Sequence, residues 1–152
     1  MQKDEKQINA AKDHDDGFNC AQSVLKQFCL SHNMDIDTAL LIASGFGGGM
    51  RMGSVCGALT GGIMALGLAY GFTDPQNKAQ IDASCLELTL RFKEAMGKVD
   101  CRDIIGIDTC DPIQRSDAQK KGVFAEKCPI AIRTAVGIVE EMIARKEDTQ
   151  SN

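Results

Sequence analysis

A chain of 152 residues fits one domain, and at that size roughly 68–70% of the unfolded surface can be buried, so neither a metal nor a disulfide is needed merely to keep it folded. Seventeen basic residues against twenty-one acidic ones give a net charge of −4, with no Lys/Arg cluster, which argues against nucleic acid or an anionic membrane surface as a partner. Seven cysteines, an odd number, do not suggest a closed disulfide framework, and the polar start Met1-Gln2-Lys3-Asp4-Glu5 lacks the apolar stretch of a secretory signal, so the expected compartment is the cytoplasm, where thiols stay reduced.

In chain order, Asp4 to Asp13 reads as a weak polar helix within an N-terminal arm (residues 1–15), suited to a flap or a partner-binding role. Asp16-Gly17-Phe18-Asn19 breaks the chain. Asn19 is a good N-cap for a helix starting at Cys20, whose Ala21, Val24, Leu25 and Phe28 form one apolar stripe. A turn at Ser31-His32-Asn33 leads to a short helix capped by Asp35 or Asp37, carrying Leu40, Leu41 and Ala43 and ending at Gly45.

The most unusual stretch follows. Ten of the fifteen glycines lie between Gly45 and Gly71, although glycine in a helix costs roughly 0.5–1 kcal/mol relative to alanine. Gly53, Gly57 and Gly61 recur every fourth residue, so a helix through them carries a bare groove on one face, with Cys56 at its edge. Another backbone or a bulky inorganic group can then come close. Residues 52–73 hold no charge across 22 positions, long enough to cross a bilayer, but six of them are glycine and no flanking Trp or basic asymmetry is present. A helix buried all round in a soluble core is the expected outcome.

Asp74-Pro75 starts the next helix, with Ile81, Cys85, Leu88, Phe92 and Met96 on one face and Gly97 as the stop. From Val99 to Phe124 periodicity weakens: Cys101 to Gly106 reads as a short helical turn and Thr109-Cys110-Asp111-Pro112 as a loop, the whole wrapping over the bundle. Cys128-Pro129 is expected to open the last helix, with Ile132, Ala135, Val136, Val139 and Ile143 inward and Lys146 to Asn152 as a frayed tail. No segment alternates with a period of two. The expected fold is all-α, a single domain (1–152) of about five or six helices around a central Gly-rich helix.

Cys20, Cys56, Cys101 and Cys128 each sit at or near an expected helix start or a Gly-rich turn, where unpaired N–H groups and the positive helix end favour thiolate. Arg51 and Arg102 could add positive charge nearby. Cys29 and Cys85, inside helices, are read as core packing, and Cys110 stays open between the two roles. There is no C-x-x-C, so zinc-ribbon, thioredoxin-type, ferredoxin-run and covalent-haem motifs are all missing. If these cysteines meet, the fold brings them together. His14 and His32 are read as solvated imidazoles, His14 being the less dismissible because it lies six residues from Cys20. Asp15 and Asp16 suit capping, and Gly45 to Met50 misses both nucleotide-binding patterns.

The run Gly-Gly-Gly-Met-Arg-Met-Gly-Ser-Val-Cys56-Gly57-Ala58-Leu59-Thr60-Gly61, with Phe18-Asn19-Cys20 ahead and Cys101 and Cys128 behind, resembles the redox-active family named for its C-GCAxxG-C-C cysteine pattern. The core here reads Cys56-Gly57-Ala58, so glycine and cysteine are transposed relative to that name. The resemblance implies a small redox protein whose signature cysteines are Cys20, Cys56, Cys101 and Cys128. Some relatives resemble modules joined to haem-binding segments in electron-transfer cytochromes, a role for which this chain lacks the haem motif.

Three chemistries follow. In the first, the four cysteines hold an iron–sulfur cluster for electron transfer with a redox partner protein, and Gly53, Gly57 and Gly61 let main-chain N–H groups approach it. In the second, they cycle between dithiol and disulfide, with Cys20 or Cys56 attacking. In the third, they hold a structural zinc ion. A homodimer paired through the glycine groove and the apolar run Ile63 to Ala69 is also expected.

Overall fold

The structure, a computed structural model, describes residues 4–150. Eight α-helices account for most of them: α1 Glu5–Asp15, α2 Cys20–Cys29, α3 Ile36–Ala43, α4 Gly57–Tyr70, α5 Ala79–Met96, α6 Cys101–Ile105, α7 Pro112–Lys120 and α8 Val123–Gln150. The all-α expectation holds, and α4 is the central element, packed against α2, α5 and α8. Among the described residues no helix is long and apolar enough to cross a membrane.

The helix starts follow their capping residues. Asn19 and Gln22 form a reciprocal capping box, each side chain bonded to the other's backbone N–H. Asp35 and Asp111 cap α3 and α7 in the simpler way, by accepting from amides of the first turn. The stripe Ala21, Val24, Leu25 and Phe28 is buried as its spacing requires, and so are Ile132, Ala135, Val136 and Val139 of α8.

The glycine-rich stretch is not one helix. α4 begins only at Gly57, and Gly53 lies outside it with φ +70°, so Gly53, Gly57 and Gly61 do not share a groove. Inside α4 the glycines serve close packing. A Cβ on Gly61 would lie 2.6 Å from the Ala21 carbonyl oxygen of α2, and one on Gly62 would lie 3.0 Å from Leu88 of α5. Two adjacent bare positions thus let helices approach α4 from two sides, and the burial gained offsets the glycine penalty. The glycine part of the face expected to pair two copies, at Gly57 and Gly61, is occupied by α2 of the same chain.

Two further expectations fail at the chain's ends. The N-terminal segment is no free arm: α1 packs on α2 and α8 with Ala10 fully buried, and Asp13 bonds both Lys26 and Gln27 of α2 at 2.8 Å. At the other end α8 continues through Lys146 to Gln150, and the Lys146 ammonium sits 4.1 Å from the Tyr70 ring centroid. Residues 1–3 of the expected arm and 151–152 of the expected tail lie outside the described residues. α8 also starts at Val123, so Pro129 stands inside it, where its ring nitrogen cannot donate to the Ala125 carbonyl.

Candidate redox site

Between α2, α6, α7 and the start of α8 lies a cavity of about 290 Å³ lined by His14, Cys20, Cys56, Cys101 and Cys128. Four thiols far apart in the chain therefore open into one space, and each arrives differently.

Cys20 occupies the first turn of α2, directly after the capping box. Gly57 lets it come near α4, because a Cβ there would lie 3.0 Å from the Cys20 Cβ and 3.1 Å from both the Ala21 amide nitrogen and the Phe46 carbonyl oxygen. Cys56 and Cys101 are held side by side by a feature with no sequence signal. Val55 and Asp100 form an isolated antiparallel bridge. Around it the Cys56 amide donates to the Val99 carbonyl at 2.8 Å, and the Cys101 amide donates to the Ser54 carbonyl at 2.7 Å. Both cysteines leave this bridge straight into helix starts, α4 and α6. Gly49 packs behind them, a Cβ there falling 2.8 Å from the Cys101 Cβ.

Cys128 is not at a helix start; it lies on the second turn of α8, facing Cys20. The ligating atoms of Cys20, Cys128 and His14 all lie within 4.8 Å of one another, close enough to hold one metal ion. His14 is therefore part of the site rather than a solvated imidazole. The Asp13 bonds to α2 fix the end of α1, and the turn at Gly17 (φ +111°) carries the chain back to Cys20.

The thiols do not share one ionisation state. Cys20 donates a hydrogen bond to Cys128, which raises the Cys20 pKa well above the ordinary thiol value, and burial pushes it further. The same bond, with His14 beside it, lowers Cys128 to about 6 against the effect of burial. Burial raises Cys56 to about 12, although the amides of Ala58 and Leu59 point at its sulfur from the first turn of α4. Burial also raises Cys101, with the Thr109 hydroxyl and the Arg115 charge opposing it. The expectation of four low-pKa cysteines at helix ends thus fails for Cys20, Cys56 and Cys101, because desolvation and neighbouring thiols outweigh the helix dipole. Only Cys128 is lowered, and it is the one inside a helix.

Thr109 is buried, and its hydroxyl bonds no oxygen or nitrogen of the described residues. It faces Cys101, where it favours the charged sulfur. A thiolate is the acceptor that hydroxyl lacks.

The remaining predicted residues fall outside. Gly53 packs against Thr109 and Arg102, and Gly61 against α2. Arg102 donates to the Met52 and Gly53 carbonyls and so braces the loop rather than the sulfurs. Cys29 is buried and bonded to the Leu25 carbonyl, Cys85 is half-buried on α5, and Cys110 is exposed.

The family model described as "putative redox-active protein (C_GCAxxG_C_C)" matches residues 18–142. The chain belongs to this family. No curated protein and no solved structure matches it. The matched span contains all four cavity cysteines and stops short of His14, so the histidine of the site stands outside the region that defines the family.

Proposed function

We propose that the protein is an electron carrier in which Cys20, Cys56, Cys101 and Cys128 hold an iron–sulfur cluster. The observation that carries this reading is the convergence of four thiols from four separate segments on one cavity. Three of them are held neutral, Cys20 by its bond to Cys128 together with burial and Cys56 and Cys101 by burial, a state that binding of a multiply charged iron–sulfur core reverses with release of protons. The donor set fits: thiolates are the usual cluster ligands, and the unpartnered Thr109 hydroxyl is placed to donate to the sulfur of Cys101 once that sulfur is charged. A bound cluster supplies reversible one-electron chemistry. The chain's own part is to hold the four sulfurs, keep water out with buried walls such as Ile105 and Ala131, and direct the Ala58 and Leu59 amides at Cys56. Anaerobically purified protein should be brown and bleach with dithionite. A preparation that stays colourless after anaerobic reconstitution with iron and sulfide would sink the reading.

A second reading rests on the hydrogen-bonded pair. Cys128 as thiolate and Cys20 as its proton donor suit dithiol–disulfide exchange in which Cys128 attacks a disulfide and Cys20 resolves the mixed disulfide. Cys56, with its pKa near 12, does not fit the attacking role. Mild oxidation would then remove two titratable thiols per chain, both mapped to Cys20 and Cys128. A zinc site would draw on His14, Cys20 and Cys128 rather than on four cysteines. Zinc content with no visible chromophore separates it from the first reading.

A further inference from the structure

The mouth of the thiol cavity carries charge that the sulfur chemistry does not require. Arg51 and Arg115 line it together with His14, and among the described residues lining it there is no Asp or Glu, in a protein whose net charge is −4. Neither arginine makes a salt bridge among the described residues. Of the carboxylates near Arg115 in sequence, Asp117 pairs with Lys121, and Asp111, one turn earlier, accepts from the Ile113 and Gln114 amides as the cap of α7. Arg115 instead lies across the loop at Gly48, where a Cβ would come 3.4 Å from its guanidinium. Its charge reaches the Cys101 sulfur.

Arg51 is placed at a cost. Gly48, Gly49, Met50 and Arg51 form an unbroken left-handed run, with φ of 62°, 63°, 57° and 59°. For Met50 and Arg51 this conformation costs roughly 1–2 kcal/mol each, and such strain persists only where surrounding bonds enforce it. Here they do. The Ser54 amide donates to the Gly49 carbonyl at 3.0 Å, and Arg102 donates to the carbonyls of Met52 and Gly53. The result is one guanidinium from a strained loop and one from α7 at the same opening, with Phe18, Ile104 and Phe124 as apolar wall.

We infer that this mouth binds a small organic carboxylate, with Arg51 and Arg115 taking its oxygens and the apolar wall its short carbon skeleton. Guanidinium matches carboxylate geometry and stays charged at every working pH. Apolar side chains beside the exposed Arg51 and half-buried Arg115 favour an organic anion, whose carbon skeleton they can cover, over a strongly hydrated inorganic one. That the carboxylate binds does not depend on the redox reading above.

The test uses the full chain as purified and three variants, Arg51→Gln, Arg115→Gln and the double variant. Thermal midpoints are followed against sodium malonate and sodium sulfate, each balanced with chloride to constant ionic strength. The expected result is a saturable stabilisation by malonate in the wild type, with the malonate concentration for half effect raised at least fivefold in each variant. Equal stabilisation of wild type and variants would overturn the inference, and a sulfate response as strong as that to malonate would overturn the organic-carboxylate assignment. A second measurement asks whether the anion reaches the sulfurs. In metal-free, reduced full-length protein, alkylation at Cys128 is mapped by mass spectrometry with iodoacetate and iodoacetamide. Their rate ratio at one pH cancels the thiolate fraction and should exceed that of glutathione by about tenfold, falling to the glutathione value in the double variant. An unchanged ratio, or no reaction with either reagent, would refute the placement beside the sulfurs. Variants that take up iron to wild-type colour while losing the malonate response separate this inference from the cluster; a wild type that never colours sinks the cluster and leaves the malonate test standing.

Discussion

The two cysteine pairs of the cavity are built on opposite principles. Cys56 and Cys101 stand where helices begin, clamped by two main-chain bonds, yet burial keeps both thiols above the ordinary value. Cys20 and Cys128 meet across two helices, and there a sulfur within a helix is the one that ionises readily. A favourable helix end contributes a fraction of a charge at one side; a donor thiol and an imidazole beside a largely buried sulfur contribute more. Position along a helix therefore predicts less about a cysteine than the identity of what it touches.

The sharpest way to break this comparison is to remove one member of each pair. Cys56→Ala and Cys101→Ala should each abolish bound iron, measured per chain after reconstitution, with the circular dichroism of the helices unchanged, because both side chains are buried and alanine leaves only a small void. Retention of wild-type iron in either variant would show that the clamped pair is not needed as ligands.

The next effect is on folding. Gly61→Ala should destabilise the protein by about 2 kcal/mol in urea unfolding, since its Cβ would meet the rigid Ala21 carbonyl oxygen of α2 at 2.6 Å. Gly67→Ala, with nothing near its Cβ, should stabilise by up to about 1 kcal/mol. Those opposite signs in one helix check that the contact, and not helix propensity, decides.

The pH dependence of the metal-free protein sharpens the contrast between the pairs. Cys56, protonated up to about pH 12, contributes stability that is complete below its unfolded value near 9 and is lost as pH rises through 12. Cys128, lowered to about 6, contributes stability that is complete above 9 and is lost as pH falls through 6. Each slope approaches about 1.4 kcal/mol per pH unit between its two pKa values. The difference in urea midpoint between wild type and Cys128→Ala should thus change between pH 6 and 9, and that for Cys56→Ala between 9 and 12. Overlapping windows would erase the distinction.

The smallest effect concerns Thr109. Replacing it with valine removes a buried hydroxyl that lacks a partner, so the metal-free protein should gain up to about 1 kcal/mol. The loaded protein should show a lower reduction potential through loss of a donor to Cys101. A potential equal to wild type would mean the hydroxyl does not reach the charged sulfur.

Most of the helical frame was legible because it rests on local rules: the Asn19 cap, the Ala21 to Phe28 stripe, and Gly97 as the αL stop of α5. The four cysteines were legible from their order around the glycine-rich core. What was hidden depends on tertiary neighbours. His14 sits on a polar helix with little periodicity, and the packing of α1 on α2 and α8 brings it to Cys128. Thr109 and Arg115 lie where periodicity is weakest, and the bridge at Val55 and Asp100 involves too few residues to leave a two-residue alternation. The glycine spacing misled for a definable reason: Gly53 repeats with period four, but the left-handed run before it ends helical geometry, so the repeat holds for Gly57 and Gly61 alone.

The bridge joining residues 54–56 to 99–101 closes α4 and α5 into a loop that is pinned at its base. Its open end, the connector Gly71 to Lys78, stands a full α4 length away, about 21 Å for 14 residues. Peptide-bond cleavage there would leave both pinning bonds and all four sulfurs in place. That connector is accordingly where a reporter or an affinity handle can be spliced in without disturbing the four sulfurs.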